Sequence, residues 1–122
     1  MAFVMGKALA LLATMTGVDM QTVGATTLYT VPAGKVGRIS HALVRNPSAS
    51  LAGGTDYDFT SWRQTVDLSS LTTPDTDYIV LNGNNVKYAE LAAGTPFQIT
   101  VITGSTLAAI ATIDVFGVEL NN

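Results

Sequence analysis

With 122 residues, the chain is long enough for one domain with a core of its own and too short for two. Cysteine is absent, which excludes disulfides, zinc ribbons and thiol nucleophiles and leaves packing and hydrogen bonds to hold the fold. Charged residues make up 12% against 48% apolar, with a net charge of −3, so a small monomer would lack polar surface and part of the exterior is expected to be buried against other chains.

The six basic residues, Lys7, Lys35, Arg38, Arg45, Arg63 and Lys87, are scattered singly. No patch among them could neutralise a run of phosphates, so no nucleic-acid partner is expected. All four methionines fall at Met1, Met5, Met15 and Met20, in a segment whose apolar run, Ala8 to Ala13, superficially looks like a secretion signal. The charge at Lys7 follows an apolar start, the run is short and Thr14-Met15-Thr16 is no small-x-small cleavage site, so the segment is expected to stay in the mature protein. A bilayer span needs about 20 apolar residues, so no membrane association is expected either. Residues 1–20 read as an N-terminal arm or as a first strand, because Ala8 to Ala13 has helical propensity while Leu9 and Leu11 alternate as in a strand. As an arm, its Phe3, Val4, Met5, Leu9 and Leu11 would pack on a neighbouring subunit, a task that unbranched methionine also suits.

Residues 21–122 carry the signals of a β domain. Thr26 to Val31 and Val36 to Arg45 are rich in β-branched and aromatic residues and flank Pro32-Ala33-Gly34-Lys35, which predicts a strand pair or a sheet corner. Asn46-Pro47 and Gly53-Gly54 mark a loop. Thr55 to Trp62 alternates, placing Tyr57 and Phe59 on one face and Asp56 and Asp58 on the other. Thr65 to Leu68 is a candidate short strand, and Ser69 to Thr76 the longest loop. Tyr78 to Leu81 and Val86 to Glu90 around Asn82-Gly83 predict a second hairpin, since Asn-Gly favours the tight turn that hairpins use.

Phe97, Ile99 and Val101 point to one side, whereas the last segment, Leu107 to Leu120, is apolar at both parities, as in a central strand or one touching a partner. With 17 threonines and about eight short strands separated by turns, the pattern is that of an all-β sandwich or barrel. Val31 to Ile39 and Leu91 to Ile99 share an apolar residue, Ala-Gly and a terminal Ile, an echo that two similar halves of a paired Greek key would produce.

The inventory for chemistry is small. His41 is the single histidine, and in a regular strand its neighbour Ser40 would point to the opposite face, so neither a Ser-His-Asp arrangement nor a histidine-based metal site is expected. Asp56 and Asp58 are the calcium candidates, but a loop starting at Asp56 has Ser61 where an EF-hand needs Gly and Asp67 where it needs Glu. Trp62, Tyr57 and Tyr88 could stack on sugars or anchor a subunit interface. No catalytic residue, cofactor or enzymatic activity is expected.

Thr27-Leu28-Tyr29-Thr30-Val31-Pro32-Ala33-Gly34-Lys35, followed by an Arg38-Ile39 strand, resembles a phrase common in small structural proteins of tailed bacteriophage virions. Leu91-Ala92-Ala93-Gly94-Thr95-Pro96-Phe97-Gln98-Ile99, ahead of a Thr/Ala-rich final strand, is similar to the same group. Within it the size best suits a capsid decoration (cement) protein. The resemblance implies a single-domain antiparallel β-sandwich, jelly-roll-like and with an N-terminal arm. It also implies a homo-oligomer, a trimer favoured, that binds the major capsid protein on the virion surface after assembly in the host cytoplasm. The expected interface residues are Phe3, Val4, Met5, Leu9, Leu11 and Trp62. The alternatives are a phage tail or head-fibre component and a carbohydrate-binding or adhesin module.

Overall fold

Among the described residues there are eight strands: β1 (Ala10–Asp19), β2 (Gly24–Thr30), β3 (Lys35–Arg45), β4 (Asp56–Phe59), β5 (Tyr78–Asn82), β6 (Glu90–Leu91), β7 (Pro96–Thr103) and β8 (Ile110–Asn121). The computed structural model describes residues 9–62, 64–82 and 90–121, and among these there is no helix. β-Branched and aromatic residues make up most of β7 and half of β8, where such side chains fit a pleated surface.

The strands form two antiparallel sheets. The larger has the order β1-β8-β3-β5, with β6 also pairing β3, and the smaller has the order β2-β7-β4. Their apolar faces meet in one buried cluster: Val18, Ile39, Val44, Ile113 and Val115 from the larger sheet, and Leu28, Tyr57, Phe97, Ile99 and Val101 from the smaller. Each such side chain contributes about 1.5–3 kcal/mol on burial, which lets a chain without cross-links hold two sheets together. The alternation expected around Tyr57 is present, with Tyr57 and Phe59 in the core, Asp56 half-buried and Asp58 exposed. The run apolar at both parities is β8, which lies between β1 and β3.

The Pro32-Ala33-Gly34-Lys35 connection is a corner. It carries the chain from β2 in the smaller sheet to β3 in the larger, closed by Lys35 N–H donating to the Pro32 carbonyl at 3.2 Å, with Gly34 at φ 77°. The echo sixty residues later is a second corner, from β6 back to β7, with Thr95 N–H donating to Ala92 at 3.0 Å and Gly94 at φ 83°. Both turns need a positive φ at the third position, where glycine carries no Cβ penalty, so both read Ala-Gly. They lie side by side: Val31 N–H donates to Thr95 and Gly94 N–H donates to Val31.

At the other end, loops are stitched by backbone hydrogen bonds such as Ser105 N–H to Met20 and Thr106 N–H to Ala52. The Tyr57 hydroxyl donates to the Met20 carbonyl at 2.7 Å, and burial pushes this phenol up to about 12, so it stays protonated as the donor. A Cβ on Gly104 would run into the carbonyl of Gln21, so this end is packed too closely for any larger residue there.

β5 and β6 both pair antiparallel to β3, β5 against His41–Arg45 and β6 against Gly37–Arg38, so these two strands run in the same direction along one edge. Of the hairpin expected around Asn82-Gly83, residues 83–89 lie outside the described residues. One expectation is corrected. Thr65 to Leu68 forms one bridge, Val66 to Tyr57, instead of a strand. Residues 10–19 of the segment read as arm or first strand form β1, an edge strand paired with β8, while Phe3, Val4 and Met5 lie outside the described residues.

Candidate functional site

The inner faces of the sheets make the core, so any site must lie on an outer face, an edge or a loop. On the larger sheet the register sets outward-facing side chains in rows. Leu11 of β1 lies opposite Phe116 of β8, and Phe116 opposite His41 of β3. The His41 and Phe116 rings stack, with centroids 4.5 Å apart and planes 8° from parallel. In the next row Thr14, Asp114, Leu43 and Val80 follow one another across all four strands. Val118 lies opposite Arg38, Leu120 opposite Val36, and Tyr78 opposite Arg45.

Most of these residues are apolar. Leu11, Val80 and Tyr78 are 55%, 50% and 68% exposed, and Leu43, Phe116, Val118, Leu120 and Val36 are half-buried by their neighbours. An antiparallel sheet with one wet side ordinarily turns polar residues outward, so this face departs from the usual division. Four charged side chains on it are paired internally. Arg38 holds Glu90 through Nε and Nη2, at 2.6 and 2.5 Å, and Arg45 Nε donates to Asp114 at 2.8 Å, with the Thr14 hydroxyl donating to the other carboxylate oxygen at 2.7 Å. Burial alone would push Asp114 up; the hydrogen bonds from Arg45 and Thr14 and the guanidinium charge outweigh it and hold the carboxyl below its usual range.

A β-bulge between Ile39 and His41 sets this face. Ile39 is buried against the core, the chain gains Ser40, and His41 then turns outward onto Phe116. The bulge also corrects the expectation that Ser40 and His41 point apart, because Ser40 Oγ lies 3.0 Å from His41 Nδ1. Among the described residues no carboxylate is hydrogen-bonded to this histidine, so the pair lacks the third member of a triad.

Of the expected interface residues, Leu9 and Leu11 are exposed beside this face. Trp62 is 6% exposed, with its ring 4.9 Å from Phe59 and 5.6 Å from Phe97. Aromatic packing at the end of the smaller sheet claims it. With Asp58, Phe59, Gln64 and Thr65, Trp62 lines an open depression of about 380 Å³. Asp56 and Asp58 share the outer side of β4; partial burial foremost, and then the Asp58 charge, push the Asp56 carboxyl up. Among the described residues no three His, Cys, Asp or Glu side chains gather in a group that could hold a metal ion.

The residues missed by sequence reasoning are Leu43, Tyr78, Val80, Phe116 and Val118, which only the register brings together. The double parity of β8 was the one trace of them. No family model, curated protein or solved structure matches the chain.

Proposed function

We propose that this chain is a bacteriophage virion structural protein that decorates the assembled capsid and stabilises it by binding across major capsid protein subunits. The observation that carries this reading is the apolar outer face of the larger sheet, a surface suited to burial in an assembly. A decoration protein lowers the free energy of a shell by bridging its subunits, and a standard interface buries on the order of 1,600 Å² in total. The two Ala-Gly corners account for the phrases that resemble phage virion proteins.

A jelly-roll reading of the fold goes with it. In such a sandwich two four-stranded sheets interleave so that the first and last strands pair and the last strand separates the first from the third. The orders β1-β8-β3-β5 and β2-β7-β4 follow that plan, with the Val66 bridge to Tyr57 standing where the fourth strand of the smaller sheet would be. In this reading residues 1–20 are the arm or first strand of the sandwich, and the assembled protein resides on the capsid surface.

The test is to add the purified protein to heads assembled without it. Saturable binding and a higher temperature of head disruption are expected; heads that neither bind it nor gain stability would overturn the proposal. A label that decorates the tail or a fibre in electron micrographs would move the protein to that part of the virion.

A further inference from the structure

We infer that the outer face of the larger sheet is the contact between copies of this chain, which leaves the smaller sheet and the loops for other partners. The inference deepens the proposal above and rests on its reading of that face as an assembly surface. Three observations favour a second copy as the occupant.

The first is charge. The Arg38–Glu90 and Arg45–Asp114 pairs make their contribution to the face neutral. Asp56 and Asp58, in contrast, lie on β4 of the smaller sheet, and Asp67, Asp75 and Asp77 on the segment between β4 and β5. Two copies of a chain with net charge −3 can therefore meet through the larger sheet without opposing carboxylates, whereas a meeting through β4 would set Asp58 against Asp58. A strongly charged partner would find nothing on the neutral face to select it.

The second is area. Strands β1, β8, β3 and β5, of 10, 12, 11 and 5 residues, at about 3.3 Å per residue and about 4.8 Å apart give a footprint of roughly 600 Å². Two copies then bury roughly 1,200 Å², above the ~1,000 Å² that a specific interface needs.

The third concerns the edge. Strand addition would be the other way for this sheet to join a copy, but its edge strand β1 is broken by register shifts between Leu11 and Ala13 and between Met15 and Val18, and its opposite edge is made of the short β5 and β6. Bulges and short edge strands blunt an edge against pairing, so association through this sheet falls to its face.

Solution mass of the full chain, by light scattering or sedimentation without capsid, tests this. The wild type is expected to be a dimer or trimer, and Leu11→Asp with Val80→Asp, both at exposed positions, is expected to be a monomer with an unchanged β-sheet spectrum. Ile102→Asp, at an exposed position on the outer side of β7, should keep the wild-type mass. If the double aspartate variant loses its spectrum, Tyr78→Ser with Val80→Thr serves instead, read as at least a tenfold weaker association. Because the chain has no cysteine, Val80→Cys gives a second readout: its thiol should resist a maleimide in the assembly and react on dilution. A monomeric wild type, a double variant that keeps its mass, or dissociation caused by Ile102→Asp would each overturn the inference. A monomer that binds heads and loses that binding with Leu11→Asp/Val80→Asp would assign the face to the capsid, overturning this inference and sparing the decoration role. An oligomer that ignores heads would do the reverse.

Discussion

The two outer faces of the molecule carry opposite chemistry on the same kind of scaffold. Outside the smaller sheet lie Thr27, Gln98, Thr100 and Asp58, with the Gln98 amide donating to Thr27 at 2.9 Å, an ordinary wet surface broken by the single exposed Ile102. Outside the larger sheet, leucine, valine and aromatic side chains fill the rows, and its charges answer one another. Both sheets bury their inner faces in one core, so folding does not require the second apolar face. A sheet apolar on both sides is what a strand layer between two covers looks like, and here the chain itself supplies one cover.

The largest expected effect on that contrast comes from Gly117. Its backbone lies against the Arg38 carbonyl beside the bulge, and a Cβ there would force β3 and β8 apart. Gly117→Ala should cost about 1–3 kcal/mol of stability, read as a lower urea midpoint. Thr100→Ala, on the polar face, should stay within about 0.5 kcal/mol. Equal losses would mean that the two sheets are not distinguished by close packing at β3 and β8.

Next in size is Asp114. Its depressed carboxyl adds stability that is fully present above the unfolded value of about 3.9 and is lost as pH falls through the folded value. Asp114→Asn should therefore cost about 1–2 kcal/mol at neutral pH, and the gap to wild type should close as the solution is acidified toward pH 2. Asp19 and Asp67 are also held low, by N–H groups of Thr22 and Gln21 and by Ser69, but they are common to both proteins and cancel in the comparison. A gap that widens in acid would contradict the assigned pairing.

The smallest effect is the most diagnostic. Tyr78→Ser, at a residue 68% exposed, should leave the urea midpoint within about 0.5 kcal/mol while weakening self-association. A midpoint that falls by more would mean that Tyr78 serves the fold.

Local patterning made part of this architecture legible. The Tyr57 and Phe59 alternation, the loop at Asn46-Pro47 and the Ala-Gly corners each depend on neighbouring residues, whose conformational preferences act over a few positions. The apolar face was not legible, because it joins Leu11, Leu43, Val80 and Phe116 from four strands, and the bulge at Ser40 reverses the parity that counting along β3 would give. The fate of Trp62 was hidden for a similar reason: whether an aromatic ring is inside or outside depends on Phe59 and Phe97, and Phe97 is 35 positions away along the chain.

The place of β8 has a consequence for how the chain is made. It divides β1 from β3, so until residues 110–121 have left the ribosome, the two strands it will join have no shared partner and the larger sheet cannot close. Nearly all of its pairing spans long sequence separations, which slows folding, and the apolar surface on both of its sides must wait in the open meanwhile. The nascent polypeptide completes this layer only once β8 has emerged, in one step that fixes the interior and the outward-facing rows together.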